Sequence, residues 1–246
     1  MTEPSRVALI TGGAKGIGRG IALALAARGW SIAFCYRTSA ESAAETGHAI
    51  QSAGAAALPI RSDVSQSSDC EQLVTATMRE FGRIDALVNC AGPYRRVPLL
   101  EETVTGWQEM FDNNLHPVFY LSKLVAPHMI EQRWGRIVSF SMANADQMVA
   151  QPQITAHYIA KSGILILSRT LAKLLAPYNI TVNVVSPGFV NSGSAPAEEL
   201  QKMLKNIPAG HIGTVDDAVK AVSFLLSEDA RYVNGANLHL SGGWGI

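Results

Sequence analysis

The sequence predicts an α/β fold: a doubly wound parallel sheet with helices on both faces, in a single domain that covers residues 1–246. Short, almost continuously apolar β-type runs alternate with longer helical runs, a pattern typical of parallel strands buried on both faces. No linker, low-complexity tract or internal repeat divides the chain. With 246 residues, 48% of them hydrophobic, the chain is long enough to bury a large core.

The elements follow one another along the chain in β-then-α order. Strands are predicted at the short apolar runs: 6–11 (RVALIT), 31–36 (SIAFCY), 56–60 (AALPI), 85–89 (DALVN), 136–141 (RIVSFS), 180–186 (ITVNVVS) and near 236–240 (ANLHL). Helices are predicted between them: 20–29, 39–54, a long segment ending at 78–82, 121–132, 164–176 and 216–227.

Composition argues against several classes of protein. Twenty acidic residues balance twenty basic ones, and no Lys/Arg run predicts a nucleic-acid partner. No apolar run is long enough to span a bilayer, so no membrane is expected, and the N-terminus does not resemble a signal peptide. The three cysteines (Cys35, Cys70 and Cys90) are widely spaced and odd in number. They predict neither a disulfide framework nor a metal site, and they favour a reduced, cytoplasmic location.

A glycine-rich turn follows the first strand and precedes an Ala-rich helix. Ligands of doubly wound sheets bind outside the carboxyl ends of the strands. Glycines there permit a tight turn and allow backbone N–H groups to approach a pyrophosphate at the N-terminus of the next helix. The candidate cofactor-binding residues in this turn are Gly12, Lys15, Gly16, Ile17 and Gly18.

The end of the second strand bears on the choice of cofactor. No acidic residue stands there to bind the ribose 2′-hydroxyl of NAD. Arg37 instead offers a cationic fork for a 2′-phosphate, with Thr38 and Ser39 as further donors and Lys15 as added charge. The plainer alternative is that Arg37 and Lys15 are solvated surface cations. The pattern favours NADP (NADPH).

With later motifs, the chain resembles the classical short-chain dehydrogenase/reductase family. The resemblance rests on TGGAKGIG (11–18), Asp63-Val64, Asn89-Cys90-Ala91-Gly92, Asn114 in FDNNLHPVF, Ser141 after GRIVSF, Lys161 in IAKSG, and Pro187-Gly188 in NVVSPGFV. It covers nearly the whole chain and is closest in pattern to ketoacyl-carrier-protein and pteridine reductases. It implies a Rossmann-type sheet of about seven strands, NAD(P) as hydride carrier, a small-molecule carbonyl or alcohol substrate, and a homo-oligomer, dimer or tetramer. Cys90, for a commoner asparagine, and Ser241, where an aspartate often stands, depart from the family pattern.

The resemblance also implies roles for individual cofactor-binding residues. Asp63 and Val64 would contact the adenine, and Asn89 would support the strand beneath the cofactor, beside Ala91 and Gly92. Pro187, Gly188 and Ser192 would line the nicotinamide carboxamide. Asn114 would hold a water of the proton relay. Plainer alternatives exist: a loop or cap role for Asp63, an Asx turn for Asn89, and local hydrogen bonding within a helix for Asn114.

The proton donor is the residue that the sequence leaves open. In the family a tyrosine donates the proton, and a lysine four residues later lowers its pKa and binds the nicotinamide ribose. Lys161 matches that lysine, but His157 stands four residues before it and Tyr158 only three. At ~100° per residue, His157 lies about 40° from Lys161 on one side and Tyr158 about 60° on the other. A regular helix therefore favours His157, whereas a distorted first turn would bring in Tyr158.

The residue that orients the carbonyl is also open. In motifs such as GRIVSFSM the family's serine is often the eighth residue, which here is Met142, so Ser141 is the nearest candidate. Asp146, in the long loop at 143–155, is another, because an aspartate replaces the serine in enzymes resembling pteridine reductases. Its plainer alternative is a solvated loop acid. We therefore expect an intact cofactor site and an altered catalytic tetrad.

Two functions are compatible with these motifs. One is an NADPH-dependent carbonyl reductase, or the reverse alcohol dehydrogenase, with a rearranged proton donor, which Asn114 and Lys161 favour. The other is an NADP(H)-binding protein that has lost most turnover and acts as a sensor or structural partner.

A substrate lid is predicted around 189–210. Arg95 and Arg96 either meet an anionic substrate or are solvated. The helix at 164–176 is apolar on more than one face, which predicts pairing with its copy.

Overall fold

A computed structural model describes residues 5–193 and 197–246. These residues form nine strands: β1 (Val7–Thr11), β2 (Ser31–Tyr36), β3 (Ala57–Arg61), β4 (Ala86–Asn89), β5 (Gly135–Phe140), β6 (Ile180–Pro187), β7 (Val190–Asn191), β8 (Gly213–Thr214) and β9 (Asn237–Leu240). They also form eight α-helices: α1 (Gly16–Ala26), α2 (Ala40–Ser52), α3 (Ser67–Phe81), α4 (Val104–Asn114), α5 (His116–Gln132), α6 (Thr155–Leu175), α7 (Ala197–Met203) and α8 (Val215–Leu225).

Seven of the strands form one parallel sheet in the order β3-β2-β1-β4-β5-β6-β9. The chain therefore places β2 and β3 on one side of β1, and then β4, β5, β6 and β9 on its other side. The carboxyl ends of β1 and β4 lie at the point where the direction reverses, the place where such sheets bind ligands. The predicted doubly wound sheet of seven strands is confirmed. The short strands β7 and β8 pair separately, within and just after the predicted lid.

The core has one apolar layer on each face of this sheet. On one face, side chains of α1, α2 and α8 pack on the strands, with Ile21, Ile50 and Val222 as buried examples. On the other face α3, α5 and α6 supply the layer, with Leu73, Leu121 and Leu175 as examples. Strands covered in this way must be apolar on both sides, which explains their nearly continuous apolar sequences.

Helix α6 begins earlier than the apolar run at 164–176 suggested. It starts at Thr155, and its first turn is regular, because the Tyr158 N–H donates to the Ile154 carbonyl at 2.8 Å. The segment from 155 to 163 is therefore helical throughout. Of the predicted lid at 189–210, residues 194–196 lie outside the described residues, as do residues 1–4 of the predicted domain. No helix among the described residues is both long and apolar enough to cross a membrane.

Candidate active site

The turn after β1 lies directly against the turn after β4. Gly12 has a φ of 67°, which favours glycine, and a Cβ added to it would lie 3.3 Å from the Cα of Ala91. The Thr11 hydroxyl accepts the backbone N–H groups of Cys90 and Ala91, each at 3.0 Å. Thr11 is not among the site residues predicted from the sequence. The sequence feature that could have identified it is a hydroxyl residue at the end of an otherwise apolar strand.

The N-terminus of α1 faces the same edge of the sheet. Lys15 is its exposed N-cap residue, and no side chain among the described residues caps this helix end through a hydrogen bond. The first N–H groups of α1 therefore remain suited to an anion. A Cβ on Gly16 would lie 3.2 Å from the Ser192 carbonyl oxygen, and a Cβ on Gly18 would collide with the Gly12 carbonyl oxygen. The structure thus brings together predicted residues from 12–18 and Ser192, which are far apart in sequence.

The end of β2 carries the candidate phosphate-binding group. The Arg37 side chain is 58% exposed; its Nη1 atom lies 3.7 Å from Asp63 Oδ2 and donates to Asn113 Oδ1 at 3.3 Å. Thr38 is exposed, and Ser39 is the N-cap residue of α2, where no side-chain capping bond forms among the described residues. An exposed guanidinium beside a helix N-terminus suits a phosphate, since both favour negative charge.

Asp63 and Asn89 both make local hydrogen bonds. The Asp63 carboxylate accepts the Ser65 N–H at 3.1 Å, which is the loop role weighed against adenine binding. Val64 beside it is buried. The Asn89 amide donates to Ser139 Oγ at 3.1 Å and so joins β4 to β5 at their carboxyl ends. These bonds stabilise the site edge whether or not the same residues touch a cofactor.

Two side chains, those of Asn114 and Lys161, converge on Gly92 in the turn after β4. A Cβ added to Gly92 would lie 2.6 Å from Asn114 Oδ1 and 3.3 Å from Lys161 Nζ, so both side chains face the same side of this glycine. The Asn114 amide donates to the carbonyls of Pro93 at 3.2 Å and Met110 at 3.0 Å. Its Oδ1 atom is buried and has no hydrogen-bond partner among the described residues. Asn114 therefore does bond locally, yet it keeps an acceptor for a further group.

Lys161 is buried, and its Nζ donates to the Phe140 carbonyl at 3.0 Å. Burial lowers the pKa of Lys161 from 10.5 to about 8. The pKa of the Cys90 thiol is raised to about 12, chiefly by desolvation, so this thiol stays neutral. Lys161 is therefore an amine that can lose its proton near neutral pH.

His157 lies one turn before Lys161 on the same face of α6, and its ring is buried. The ring meets that of Tyr94 edge-on, with centroids 5.1 Å apart and planes at 86°. Its Nδ1 atom has no hydrogen-bond partner among the described residues. Burial, followed by the charge of Lys161, lowers the pKa of His157 from 6.5 to about 3. A hydrogen bond to the Pro93 backbone opposes this shift. His157 is therefore neutral at physiological pH.

Tyr158 faces a different part of the molecule. Its hydroxyl donates to the Asn144 carbonyl at 2.7 Å and accepts the Val149 N–H at 3.2 Å. Ser162, one turn later, donates to the Ala145 carbonyl at 2.7 Å. This face of α6 holds the loop after β5 through hydrogen bonds. The His157 face contacts Tyr94 in the loop after β4.

The two candidates for orienting a carbonyl are both engaged elsewhere. The Ser141 hydroxyl is buried and donates to the Lys161 carbonyl at 2.8 Å, so its proton is directed at the α6 backbone. The Asp146 carboxylate lies 2.9 Å from His239 Nε2 and 3.0 Å from Asn237 Nδ2, on strand β9. Although burial opposes it, these hydrogen bonds lower the pKa of Asp146. The carboxylate of Asp146 is thus held at the sheet edge by β9.

The remaining predicted residues lie at the end of β6 and in the loop after β4. Pro187 accepts the Ala143 N–H at 2.8 Å, and a Cβ on Gly188 would lie 3.1 Å from the Ser241 Cα. Arg95 forms an ion pair with Glu102 at 2.6 Å, whereas Arg96 is exposed. Of the two arginines, Arg96 therefore has the freer side chain for an anionic ligand.

These residues fit a dinucleotide. The close approach at Gly12 and the space beside Gly92 admit no side chain, and the N-terminus of α1 presents backbone donors. Lys161 Nζ and the unpartnered Asn114 Oδ1 supply a donor and an acceptor at the end of β4. The described residues contain no group of three or more His, Cys, Asp or Glu side chains placed to hold a metal ion.

Comparisons with known proteins agree with this geometry. The family model described as enoyl-(acyl carrier protein) reductase matches residues 12–245. A 3-oxoacyl-[acyl-carrier-protein] reductase, FabG, of Staphylococcus epidermidis is 34% identical over 248 residues, covering 97% of this chain and 98% of that protein.

Two solved structures also superpose closely on this chain. A variant of a Serratia marcescens short-chain dehydrogenase/reductase superposes with a TM-score of 0.93 at 31% identity, covering 99% of both chains. Acetoin dehydrogenase from Enterobacter cloacae superposes with a TM-score of 0.90 at 28% identity, covering 99% of this chain and 96% of that one. The fold, the order of the motifs and these matches together show that the chain belongs to the classical short-chain dehydrogenase/reductase family.

Proposed function

We propose that this protein is an NADPH-dependent oxidoreductase that transfers a hydride between the nicotinamide and a carbonyl or alcohol substrate, with a rearranged proton donor. The observation that carries the proposal is the convergence of Asn114 Oδ1 and Lys161 Nζ beside Gly92, at the end of β4. Relatives named as a 3-oxoacyl-carrier-protein reductase and an acetoin dehydrogenase act on carbonyl or alcohol groups, which supports the same reaction class.

The proposal assigns the cofactor to residues already described. The turn at 12–18 and the N-terminus of α1 would hold the pyrophosphate, and Arg37, Thr38 and Ser39 the 2′-phosphate. Lys161 would hold the nicotinamide ribose, with Asn89, Ala91, Gly92, Pro187, Gly188 and Ser192 around the nicotinamide and Asp63 and Val64 at the adenine. When bound, NADPH supplies the hydride; the protein has to orient the carbonyl, exclude water and deliver a proton to its oxygen.

The altered catalytic residues favour a second candidate function. The Ser141 hydroxyl is committed to the Lys161 carbonyl, and Tyr158 is committed to the loop after β5. A family member in which both groups are engaged in this way is compatible with cofactor binding without turnover. The second candidate is therefore an NADP(H)-binding protein that acts as a sensor or structural partner.

One experiment separates the two candidates. NADPH consumption is measured across a panel of ketones, aldehydes, acyl thioesters and pterins, alongside NADPH binding by fluorescence. We expect both binding and turnover with at least one carbonyl class. Binding without turnover on the whole panel would replace the reductase by the binding protein. A homo-oligomer built through α6 and the cytoplasmic location expected from the cysteines remain parts of the proposal.

A further inference from the structure

The loop after β5, residues 141–154, contains two residues with an unfavourable backbone conformation. Asn144 and Met148 have φ values of 61° and 55°, in the left-handed region that favours glycine. Asparagine adopts this region more readily than other residues, because its short polar side chain bonds locally, but methionine has no such group. Residues held in this way persist where the surrounding structure fixes them, and they are common at functional sites. The loop therefore depends on contacts that hold it in place.

Helix α6 supplies the contacts on one side of this loop. The Tyr158 hydroxyl binds the Asn144 carbonyl and the Val149 N–H. The Ser162 hydroxyl donates to the Ala145 carbonyl at 2.7 Å. The helix that carries the candidate catalytic residues therefore also supports the loop.

The edge strand β9 supplies the contacts on the other side, through Asp146. The Asp146 Oδ2 atom lies 2.9 Å from His239 Nε2 and 3.0 Å from Asn237 Nδ2. The Oδ1 atom of Asn237 in turn accepts the Ser186 hydroxyl of β6. The side chains of Asp146 and His239 are 28% and 26% exposed, so solvent screens this pair less than a fully exposed one. One carboxylate thus connects the loop to the last two strands of the sheet.

The loop borders residues assigned to the nicotinamide. The Ala143 N–H donates to the Pro187 carbonyl at 2.8 Å. A Cβ added to Gly245 would lie 3.2 Å from the Asn144 Cβ, and a Cβ added to Gly188 would lie 3.4 Å from Trp244 Cε3. The loop and the C-terminal segment therefore lie beside the end of β6, at the edge of the sheet where ligands bind.

We propose that Asp146 and His239 are positioning residues: their contact holds the loop after β5 in its left-handed conformation, so that this loop forms a fixed wall of the substrate site. This inference rests on the proposed function. The Asp146 Oδ2 atom is directed at the two side chains of β9, so the carboxylate acts on the substrate through the loop and not by contact.

The first test needs no turnover. Amide hydrogen exchange of the segment 143–150 is measured by mass spectrometry, in the free protein and with NADP⁺. We expect Asp146→Ala and His239→Ala each to speed this exchange roughly ten- to a hundredfold, because a hydrogen bond to a charged group is lost. Exchange in β1 and β2 should stay slow, which shows that the variants are folded.

Two further variants make the exchange test specific. The double variant Asp146→His with His239→Asp rebuilds the pair with its partners exchanged, so it should restore slow exchange. Lys220→Ala, which breaks the exposed ion pair between Asp216 and Lys220 at 2.6 Å on α8, should leave the segment unchanged. Unchanged exchange at 143–150 in both single variants would overturn the proposal.

The second test uses steady-state kinetics. We expect Asp146→Ala and His239→Ala to raise KM for the carbonyl substrate roughly tenfold, with kcat and NADPH affinity little changed, because other elements carry the catalytic groups. The exchanged pair should restore KM. A loss of kcat in Asp146→Ala that the exchanged pair does not restore would contradict the positioning role, because the carboxylate would then act on the substrate itself. An absence of turnover in the parent protein would overturn the proposed function, and hydrogen exchange would then decide the role of the pair alone.

Discussion

The Tyr158 hydroxyl donates a hydrogen bond to the Asn144 carbonyl at 2.7 Å and accepts one from the Val149 N–H at 3.2 Å. Both partners belong to the loop after β5, so the tyrosine connects this loop to the first turn of α6. A helix advances ~100° per residue, which is why His157, the preceding residue, is turned to another side. The contact with Tyr94 shows which side that is. Tyr158 therefore stabilises the loop after β5, whereas His157 faces the loop after β4.

The first prediction concerns these two residues. His157→Ala should lower kcat by ~10²–10⁴-fold with NADPH affinity little changed, because it removes a proton-transfer group and no cofactor contact. Tyr158→Phe should be mild for kcat but should lower the free energy of unfolding by about 1–2 kcal/mol, since a buried hydroxyl loses two hydrogen-bond partners. Steady-state kinetics, cofactor fluorescence titration and urea unfolding measure the three quantities. If Tyr158→Phe shows the large loss of kcat and His157→Ala does not, Tyr158 is the donor.

The second prediction concerns the choice of cofactor. The exposed Arg37 side chain has a carboxylate partner at 3.7 Å and one amide acceptor, Asn113 Oδ1 at 3.3 Å, so part of its guanidinium is available for a 2′-phosphate. We expect NADPH to bind roughly ten- to a hundredfold more tightly than NADH, or about 1.5–3 kcal/mol for a charge-assisted pair. Arg37→Ala should abolish most of this preference in fluorescence titrations. Arg28→Ala, an exposed arginine just beyond the C-terminal end of α1, serves as the control. Equal affinities of the parent protein for the two cofactors would refute the assignment.

The third prediction concerns assembly. In a single chain α6 leaves Ile159, Ile166 and Leu174 exposed, at 43%, 64% and 63%, while its other side packs on the sheet. Phe119 of α5 is also 46% exposed. A helix that is apolar on more than one face is covered by another element. We expect sedimentation to give a dimer or tetramer at micromolar concentration and Ile166→Glu to reduce its size. Tyr232→Glu, at a residue that is 98% exposed, should leave the assembly intact. A monomeric parent protein would contradict this.

The sequence was sufficient for the fold because the fold follows from a repeated pattern. Each apolar run such as 31–36 or 180–186 became a strand buried on both faces, and the alternation with helices indicated a parallel sheet. Strand-end motifs then indicated the site, since all parallel strands end at the same edge. The prediction for Gly12 depended on this rule, whereas those for Asn89 and Ala91 came from the family resemblance.

The hydrogen bonds of individual side chains could not be predicted in the same way. Ser141 and Asp146 were both reasonable partners for a carbonyl, but their bonds depend on residues that are distant in sequence, the Lys161 carbonyl and His239. Thr11 holds two backbone N–H groups of the turn after β4, a contact that no spacing rule foresees. The low pKa of His157 likewise depends on burial by several elements, which a single sequence does not specify.

The last prediction follows from that burial. The pKa of His157 falls from 6.5 to about 3 on folding, so the unfolded chain binds a proton between these pH values that the folded protein does not. Its contribution to stability is therefore unchanged above pH 6.5 and is lost as the pH falls toward about 3. We expect the free energy of unfolding of the parent protein to fall by about 3 kcal/mol more than that of His157→Gln between about pH 7 and 4.

Urea unfolding at one fixed protein concentration measures the difference. Comparing the parent with the variant cancels the acid sensitivity of Asp146 and Glu228, whose pKa values are also lowered. His48→Gln, at an exposed position, should lose stability in acid as the parent does. Equal acid sensitivity of the parent and His157→Gln would show that His157 becomes charged in the folded protein.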